Sequence, residues 1–357
     1  MHVTQAEIAI HGAGPVGCAL SLLLHGQGNA VVLVQKQKTV PASLRPIALS
    51  HASRLILERA GVWQALAPTR IDTIHVSQQG GFGRTRLSAA DAGVPALGYV
   101  VDYRPLLESL WHEAANRGIR IETEAAESAL VVHAEGSSEE TESTKEKDYR
   151  QEAVVALITT RPAAAGTAWE RFTPEGPLAL LPMGGRICVV WGMRPERAQV
   201  LCDAPQADFL AALSQAIGRR AGEFVSVGER HRAPLALRVR SSRIGERAAF
   251  IGNAAQMLHP VAGQGLNLGL RDAWDLAQVL RDAADPGEAR VLQRFAAMRR
   301  IDAATTVRVT DFLAGAFLGN HRITGLMRGF ALTALDICLP ARRFFARRMI
   351  FGPSALP

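Results

Sequence analysis

The N-terminal part of the chain alternates short apolar runs with one segment of helical periodicity. Residues 7–11 and 30–35 are predicted to be buried strands, and residues 15–25 between them a helix. Glycines 26 and 28 end this helix, and a glycine-rich turn over residues 12–17 precedes it. The order strand, turn, helix and strand predicts a βαβ unit.

Two further helices and two strands are predicted in the next part of the chain. Helical periodicity returns at residues 50–60 and 105–116, and a glycine follows each segment. Residues 71–77 and 119–123 have the composition of strands. These elements continue the α/β pattern.

The pattern changes after a short apolar run at residues 130–132. Residues 139–150 are polar without apolar periodicity, which predicts a loop or a disordered segment. Glycine and proline turns then separate apolar runs of strand length, which predicts a β-sheet domain. Its strands are expected near residues 154–160, 177–181 and 187–191.

The chain is expected to leave its first domain and return to it. A helix is predicted at residues 207–217, a strand at 235–240, and mostly helix from residue 266 onward. The predicted fold class is α/β with an inserted β-sheet (α+β) domain and a helical C-terminus. The predicted bounds are 1–70, 98–152 and 241–300 for the first domain, 71–97 and 153–240 for the inserted domain, and 301–357 for the C-terminal region.

A second glycine-rich motif follows the inserted domain. An apolar run at residues 248–251 meets Gly-Asn at 252–253, and His-Pro at 259–260 then disfavours helix. Gly-Gln-Gly at residues 263–265 opens a periodic segment that continues to Leu280. A glycine-lined helix start exposes unpaired N–H groups, which suits an anionic or electron-rich ligand. Together with the first turn, the motif indicates a long bipartite cofactor.

The first turn fits the pattern G-x-G-x-x-G with Gly12, Gly14 and Gly17. A plain glycine-rich turn is the alternative, and the flanking βαβ pattern favours dinucleotide binding over it. Gln35 stands where this pattern expects an acidic residue for the ribose hydroxyls. Because an amide hydrogen-bonds without charge assistance, binding is expected to be weaker there but not lost.

Composition narrows the class of protein. The 357-residue chain is 48% hydrophobic and 20% charged, as in an ordinary globular protein large enough for two domains. Its net charge of +7 fits nucleic acid, anionic membrane or anionic small molecules. Nucleic acid is the least favoured partner, because the basic residues are scattered and no zinc-finger or RNP-type signature occurs.

The cysteines and the apolar segments indicate where the protein is located in the cell and whether a metal site is expected. Cys18, Cys188, Cys202 and Cys338 form no C-x-x-C pair, so neither a disulfide framework nor a metal site is expected. A reducing cytoplasm fits. No run of apolar residues is long enough for a membrane span, so any membrane contact is expected to be peripheral.

The two glycine motifs match a known family, since the chain resembles the FAD-dependent aromatic hydroxylases, in particular their ubiquinone-biosynthesis branch. That family's second flavin motif has Gly-Asp, a spacer, His-Pro and Gly-Gln-Gly-x-Asn. The residues in those places here are Gly252, Asn253, His259, Pro260, Gly263, Gln264, Gly265, Leu266 and Asn267. Further matches are residues 45–49, 61–63, 170–173 and 176–182.

The resemblance implies a Rossmann-like FAD-binding domain and a set of roles. It implies that NADPH or NADH would reduce FAD, and that the reduced flavin would react with dioxygen to a C4a-hydroperoxyflavin that hydroxylates a prenylated phenol. Pro260, beside His259, is expected at the flavin ring in a positioning role, and the helix starting near Gly265 at the flavin N1/O2 edge. The other expected cofactor-binding residues are Gly12, Gly14, Pro15, Val16 and Gly17 at the pyrophosphate, Gln35 with Lys36 at the adenosine ribose, Arg45 at a phosphate or the ribitol, and Gly252 with Asn253 at the ribitol or pyrophosphate.

Two departures from the family pattern keep other functions open. The family's middle motif, Ala-Asp-Gly with Ser following, stands here as residues 134–138 with Glu135 in place of the aspartate, and Gln35 replaces the ribose acid. One alternative is therefore a flavin-binding scaffold of a quinone-biosynthesis complex with little turnover, beside other enzymes of that pathway. The other is a related flavin oxidoreductase that acts on another phenol or on a prenyl lipid.

The C-terminal region combines apolar helical faces with a basic end. One interpretation is peripheral attachment to anionic lipid, and the other is a core helix with a solvated charged end. The residues concerned are Phe312, Leu313, Phe317, Leu318, Leu326, Phe330, Leu335 and Leu339, with Arg342, Arg343, Arg347 and Arg348.

Overall fold

A computed structural model describes residues 7–35, 46–124, 127–136, 144–258, 263–318 and 322–352 of the chain. Its helices are α1 (Pro15–His25), α2 (His51–Arg59), α3 (Ala89–Ala92), α4 (Tyr103–Asn116), α5 (Pro195–Asp203), α6 (Gln206–Ile217), α7 (Gln264–Leu280), α8 (Ala289–Leu318), α9 (Arg322–Ile337) and α10 (Leu339–Phe351). Its first strands are β1 (Ile8–His11), β2 (Val31–Val34), β3 (Pro46–Ser50), β4 (Thr69–Gln78), β5 (Arg84–Ser88), β6 (Gly98–Asp102), β7 (Arg120–Glu122) and β8 (Leu130–His133). The later strands are β9 (Thr144–Arg161), β10 (Gly166–Phe172), β11 (Pro177–Met183), β12 (Arg186–Met193), β13 (Glu223–Arg240), β14 (Ile244–Gly245), β15 (Ala248–Phe250) and β16 (Gln256–Met257).

The first sheet has the strand order β14-β15-β8-β1-β2-β7 and is parallel except for the β14–β15 pair. The inner strands β1 and β2 are short apolar runs, because a parallel sheet is covered on both faces. Helix α1 packs against α4 and α7, and α7 packs against α8. The predicted βαβ unit consists of β1, α1 and β2. Strands β1 and β2 pair in parallel, with Ile8 opposite Val31.

The second sheet has the order β16-β13-β9-β12-β11-β10-β4-β6-β3, and β5 pairs with β4. Its neighbours are antiparallel except for β10 and β4, which run parallel. This sheet ends at β3 on one side and at β16 on the other, and both end strands contact the first domain. The α/β fold class with an inserted sheet is confirmed.

The two faces of the second sheet have different surroundings. One face is covered by α5 and α6, and residues such as Val154, Leu180 and Val189 are fully buried there. We call the other face the inner face; its residues include Val155, Ala179 and Val190, which are only partly buried. Leu237 belongs to the inner face and packs against Leu258 and Leu268, so the inner face is turned towards α7.

The predicted loop over residues 139–150 is wrong from Thr144 onward, where β9 begins. The polar residues 144–148 pair with β13, for example Asp148 with Ala236. Solvent and ion pairs such as Arg238 with Glu146, at 3.2 Å, satisfy their charges, so this strand carries no apolar alternation. Residues 139–143 lie outside the described residues.

Strand β10 and helix α5 have no counterpart among the predicted elements. The sequence of β10 mixes aromatic, charged and small residues, so it lacks the apolar alternation of a half-buried strand. Strands β3 and β6 belong to the second sheet, although the predicted domain bounds place them in the first domain. The domain bounds themselves stay a prediction.

Helices α8, α9 and α10 follow the second glycine motif, as the helical pattern predicted. Among the helices of the described residues, none combines the length and apolar character that a bilayer crossing requires. Ala346, Ile350 and Phe351 of α10 pack with Leu87 and Leu97 of the inserted domain. Helix α10 therefore belongs to the packed body of the protein.

Candidate cofactor site

The first glycine turn is closed by contacts between its own glycines and β8. Gly12 has φ +102°, a conformation that L side chains rarely adopt, and a Cβ there would lie 2.8 Å from the carbonyl carbon of Ala134. A Cβ on Gly17 would collide with the carbonyl oxygen of Gly12. These two glycines are thus required by the packing of the chain itself.

Gly14 is different, because a Cβ built there meets no atom of the described chain within 4 Å. It is the N-cap residue of α1, and Pro15 follows as the first helical residue. The open space in front of Gly14 therefore lies where the helix presents its unpaired N–H groups and its positive dipole end. A ligand phosphate fits this place.

Gln35 at the end of β2 holds the same turn. Its Oε1 atom accepts a hydrogen bond from the Ala13 N–H at 2.8 Å. Trp111 on α4 donates its Nε1–H to the Ala13 carbonyl, also at 2.8 Å. The backbone N–H and C=O of Ala13 are thus both hydrogen-bonded by side chains from elsewhere in the domain, which fixes the turn. The predicted contact of Gln35 with the adenosine ribose stays a prediction.

The second glycine motif begins at the end of β15 and ends at the start of α7. Gly252 and Gly263 both have φ +58°, and Gly263 is the N-cap of α7. A Cβ on Gly265 would meet nothing within 4 Å in the described chain. Gly265 on α7 thus corresponds to Gly14 at the start of α1: each is a glycine at a helix N-terminus with open space before it.

Val16 joins the two motifs. A Cβ on Gly252 would lie 3.2 Å from Val16, and a Cβ on Gly269 would lie 2.7 Å from Val16 and 3.1 Å from the Cα of Gly252. The Val16 side chain therefore fills the space that the two glycines leave, and α1 packs directly on α7. The expected convergence of the two turns is present in the structure.

Asn267 fixes the start of α7 through its side chain, which is 2% exposed. Its Oδ1 accepts from the Ser50 N–H at 2.8 Å and from the Ser53 hydroxyl at 2.7 Å. Its Nδ2 donates to the carbonyls of Ala48 at 2.9 Å and Gly263 at 2.8 Å. Asn267 therefore ties α7 to β3 and α2, and its predicted contact with FAD would have to come from its backbone.

A buried network of three arginines and three aspartates lies beneath the second motif. Arg299 is completely buried and contacts Asp272 at 2.6 Å and both Asp275 and Asp302 at 2.7 Å. Arg243 pairs with Asp272, and Arg271 with Asp302, which balances the charges. The sequence analysis did not predict this network. The sequence feature that could have indicated it is a pair of acidic residues on α7 together with an Arg and an Asp three residues apart on α8.

Asp272 connects the network to the cofactor loop. Its Oδ2 accepts from the Gly252 N–H at 3.1 Å and from Gln256 at 2.8 Å. Burial alone would raise the pKa of Asp272, but the charges of Arg243 and Arg299 and these hydrogen bonds lower it below its usual value. An ionised Asp272 thus holds the loop that carries Asn253.

The middle motif lies beside the first turn. Glu135 follows Ala134, which lies against Gly12. The Oε1 atom of Glu135 is 3.4 Å from Nδ1 of His133 and 3.9 Å from Nδ1 of His11. Burial opposes ionisation of Glu135, but the hydrogen bond to His133 and its own backbone N–H lower its pKa. The ligand atoms of these three residues lie within 4.8 Å of one another, so they could hold a metal ion. The expected absence of a metal site stays a prediction.

Several predicted site residues cannot be placed. Lys36, Arg45, His259 and Pro260 lie outside the described residues. The structure does bring together the glycines of both motifs, Val16, Gln35 and the start of α7. These residues offer two helix N-termini with glycine-sized openings, which fits the pyrophosphate and the electron-rich ring of a flavin dinucleotide.

This arrangement defines an FAD-dependent monooxygenase fold. The p-nitrophenol 4-monooxygenase PnpA of Pseudomonas putida superposes with a TM-score of 0.77 over 98% of this chain and 99% of that one. The two sequences are 14% identical, so this likeness concerns the fold alone.

The chain belongs to the family described as FAD binding domain, which matches residues 5–158 and 153–310. It is similar to ubiquinone hydroxylase UbiL of Rhodospirillum rubrum, 28% identical over 96% of this chain and 89% of the relative. It is also similar to 3-demethoxyubiquinol 3-hydroxylase of Escherichia coli, 28% identical over 92% of this chain and 94% of the relative. The predicted resemblance and the class of enzyme, an FAD-dependent monooxygenase, are confirmed.

Proposed function

We propose that this protein hydroxylates a prenylated phenol, such as a prenylated methoxyphenol, during ubiquinone biosynthesis. The observation that carries the proposal is the junction of two glycine turns at Val16, with open space before Gly14 and Gly265. The names of the relatives support the substrate class, since both act as ubiquinone or demethoxyubiquinol hydroxylases.

When bound, FAD would accept a hydride from NADH or NADPH and activate dioxygen for transfer of one oxygen atom to the phenol ring. The start of α1 would hold the pyrophosphate at Gly14, and Gln35 would approach the ribose. The start of α7 would place its N–H groups at the ring edge where reduction adds negative charge. Pro260 and His259 are proposed at the ring as positioning residues.

The inner face of the second sheet suits an apolar substrate. Val155, Ala179 and Val190 on this face keep part of their surface accessible, whereas the opposite face is sealed by helices. An accessible apolar wall turned towards α7 is what a prenylated ring requires. We assign the substrate to this side of the sheet.

Helix α9 supports peripheral contact with an anionic membrane. Its outward face is apolar, with Leu326 52%, Phe330 67% and Ile337 79% exposed. Two charged residues of α9 are used within the protein, since Arg328 stacks on Phe172 and Asp336 accepts from the Arg86 N–H. Exposed arginines of α10 lie next along the chain, at positions 343 and 347. An apolar strip beside cationic residues matches a bilayer of anionic lipid.

Part of the predicted basic end is used within the protein. Arg342 pairs with Asp91 at 3.1 Å, so it contributes to packing of α10. Among the apolar residues predicted for this surface, Leu335 and Leu339 are partly buried. The side chains of the four apolar residues predicted on α8 lie outside the described side chains, at positions 312, 313, 317 and 318.

The function is tested by the cofactor first and by turnover second. Purified protein should be yellow, and FAD should appear in the supernatant after denaturation. A geranylated 2-methoxyphenol should then stimulate NADH or NADPH oxidation and oxygen consumption, with a product one oxygen atom heavier. Oxidation of NADH or NADPH without formation of a hydroxylated product would contradict the proposed substrate class.

The scaffold function has one observation in its favour. Glu135 replaces the family's aspartate, and its carboxylate is engaged by His133 and His11 rather than open to a nicotinamide donor. A scaffold would bind FAD tightly and show no reduction of the flavin by NADH or NADPH under anaerobic conditions. Bleaching of the flavin absorbance on addition of either donor would exclude it.

A further inference from the structure

The inner face carries one carboxyl group in an otherwise apolar row. Glu170 of β10 pairs with Ala179 on one side and with Val76 on the other. Ala179 pairs with Val190, which pairs with Val155. Directly paired residues lie on the same face of a sheet, so Glu170 stands in line with four apolar side chains.

The orientation of Glu170 follows from its neighbours on β10. Trp169 and Arg171 lie on the helix-covered side, where Trp169 packs with the core beneath α6 and Arg171 is 3.3 Å from the Ser77 hydroxyl. Ala168 packs with Leu181 on the other side. Because side chains alternate along a strand, Glu170 points with Ala168 and Phe172 to the inner face.

Three parts of the protein lie over this face. Leu258 and Leu268, which flank the second glycine motif, pack at its β13 end, four strands from β10. Arg328 of α9 lies 5.2 Å from the centre of the Phe172 ring, and Phe172 is two residues from Glu170 on β10. Ile74, on the same face of β4, packs with a cluster that contains residues of α10. The C-terminal helices thus border the face near Glu170, and the cofactor domain borders it at the β13 end.

The Glu170 carboxyl group has no hydrogen-bond or ion-pair partner among the described residues. Burial raises its pKa to about 7. Its side chain nevertheless keeps some accessible surface. A largely buried carboxyl group without a protein partner is costly unless a ligand meets it.

We propose that Glu170 is a catalytic residue, the base that accepts the proton of the substrate's phenolic hydroxyl. This inference rests on the proposed phenol hydroxylation. The O–H bond of the phenol breaks and a new O–H bond forms on the carboxylate, so the electron pair left on the phenolic oxygen increases electron density in the ring. The proton returns to the product or to water, which regenerates the carboxylate.

The charged or titratable groups of Cys188, Asp102 and Arg328 are not proposed as the base. Burial raises the pKa of Cys188, whose strand position lies on the inner face, to about 12, so its thiol stays neutral. Asp102, at the end of β6, acts electrostatically on Cys188. Arg328 lies on the same face, over Phe172. Burial alone accounts for the raised pKa of Glu170, so no neighbouring charge sets its ionisation.

The first test compares E170Q with wild-type holoenzyme on geranylated 2-methoxyphenol. E170Q should keep FAD and flavin reduction but lose about 100-fold or more in kcat for hydroxylation, as expected for loss of a general base. In wild type, kcat/KM should rise as pH passes about 7, where Glu170 ionises, and E170Q should lack this rise. The matched control is E152Q, the same change on the same sheet, where Glu152 pairs with Arg232 on the opposite face at 3.1 Å.

A binding measurement separates this inference from the proposed function. Wild type should bind the geranylated phenol more tightly than its methyl ether, by about 10-fold for a hydrogen bond to a charged group. E170Q should lose most of this preference. If wild type forms no hydroxylated product but shows the preference, the proposed function fails and the contact with Glu170 stands. Unchanged turnover, pH profile and preference in E170Q would overturn the inference.

Thermal stability gives a further readout without substrate. Because the folded-state pKa of Glu170 is raised from 4.5 to about 7, ionisation destabilises the folded protein as pH rises through that range. E170Q cannot ionise, so its Tm relative to wild type should be higher at about pH 8.5 than at about pH 5.5. A pH-independent difference would show that the Glu170 carboxyl group is solvated, which contradicts its burial.

Discussion

The two glycine turns are held in place by different kinds of interaction. The first turn is closed by the contact of Gly17 with Gly12 and by neutral hydrogen bonds of Ala13 with Gln35 and Trp111. The second is held by the charged Asp272 on α7, which pairs with Arg299 on α8. The glycines of both turns are visible in short sequence patterns, whereas the side chains that hold the turns are recognised only in the folded protein.

The largest effect is expected from Arg299→Met, which removes the centre of the network. Three buried carboxylates would lose their shared partner, and breaking a buried ion pair on one side costs about 3–5 kcal/mol. Urea denaturation should show this loss, together with loss of FAD. Arg300→Met is the matched control, because Arg300 is exposed. Equal stability of both variants would mean that the network does not hold the second turn.

Gly265→Val should separate cofactor binding from folding. No described atom lies within 4 Å of the added Cβ, so the apo fold should persist, whereas the valine would occupy the space assigned to the flavin. We expect FAD affinity to fall by about 100-fold, equivalent to about 2.7 kcal/mol, measured by flavin fluorescence titration. Gly17→Val is the contrasting variant and should not fold, because its Cβ collides with Gly12.

A G265V protein that keeps full FAD occupancy would place the flavin elsewhere. Soluble, folded G17V protein by circular dichroism would likewise remove the distinction between glycines that serve packing and glycines that serve the ligand.

A smaller effect is expected from Gln35→Ala at the first turn. The Ala13 N–H would lose its partner, which costs about 1 kcal/mol for a neutral hydrogen bond. The Tm of the apoprotein should fall by a few degrees, and FAD affinity should fall with it. Gln64→Ala at an exposed position is the control. Weaker FAD binding at unchanged apoprotein stability would mean that Gln35 acts only on the ligand.

The smallest effect concerns the surface of α9. Phe330→Glu should weaken sedimentation with vesicles of phosphatidylglycerol, because it places a negative charge in the exposed apolar strip. Val200→Glu on α5 is matched, since Val200 is 56% exposed on another surface. Neither variant should bind neutral phosphatidylcholine vesicles strongly. Equal binding of both variants to the anionic vesicles would argue against this docking surface.

Much of the fold was predictable because its signals are local. The βαβ unit, the helix after each glycine turn and most strands of the inserted sheet follow from periodicity and glycine placement. Strand β10 did not, because its consecutive residues Trp169, Glu170 and Arg171 do not alternate between apolar and polar. The start of β9 did not either, since its polar residues are ordered by pairing with β13.

Part of the candidate site was predictable from the sequence. The glycines of both motifs could be identified, but not which of them serve packing and which face open space. The contact of Asn267 with the cofactor stays a prediction, and the role of its side chain in fixing α7 was not predicted. The Arg299 network and the inner-face position of Glu170 depend on residues far apart in the chain, so no short pattern contains them.

The central claim is that both turns bind one FAD molecule. A crystal structure of the protein grown with FAD tests it most directly. The pyrophosphate should lie at the start of α1 beside Gly14, and the isoalloxazine ring at the start of α7 beside Gly265. A flavin that contacts only one of these two helix starts, or a protein that takes up no flavin, would contradict the account.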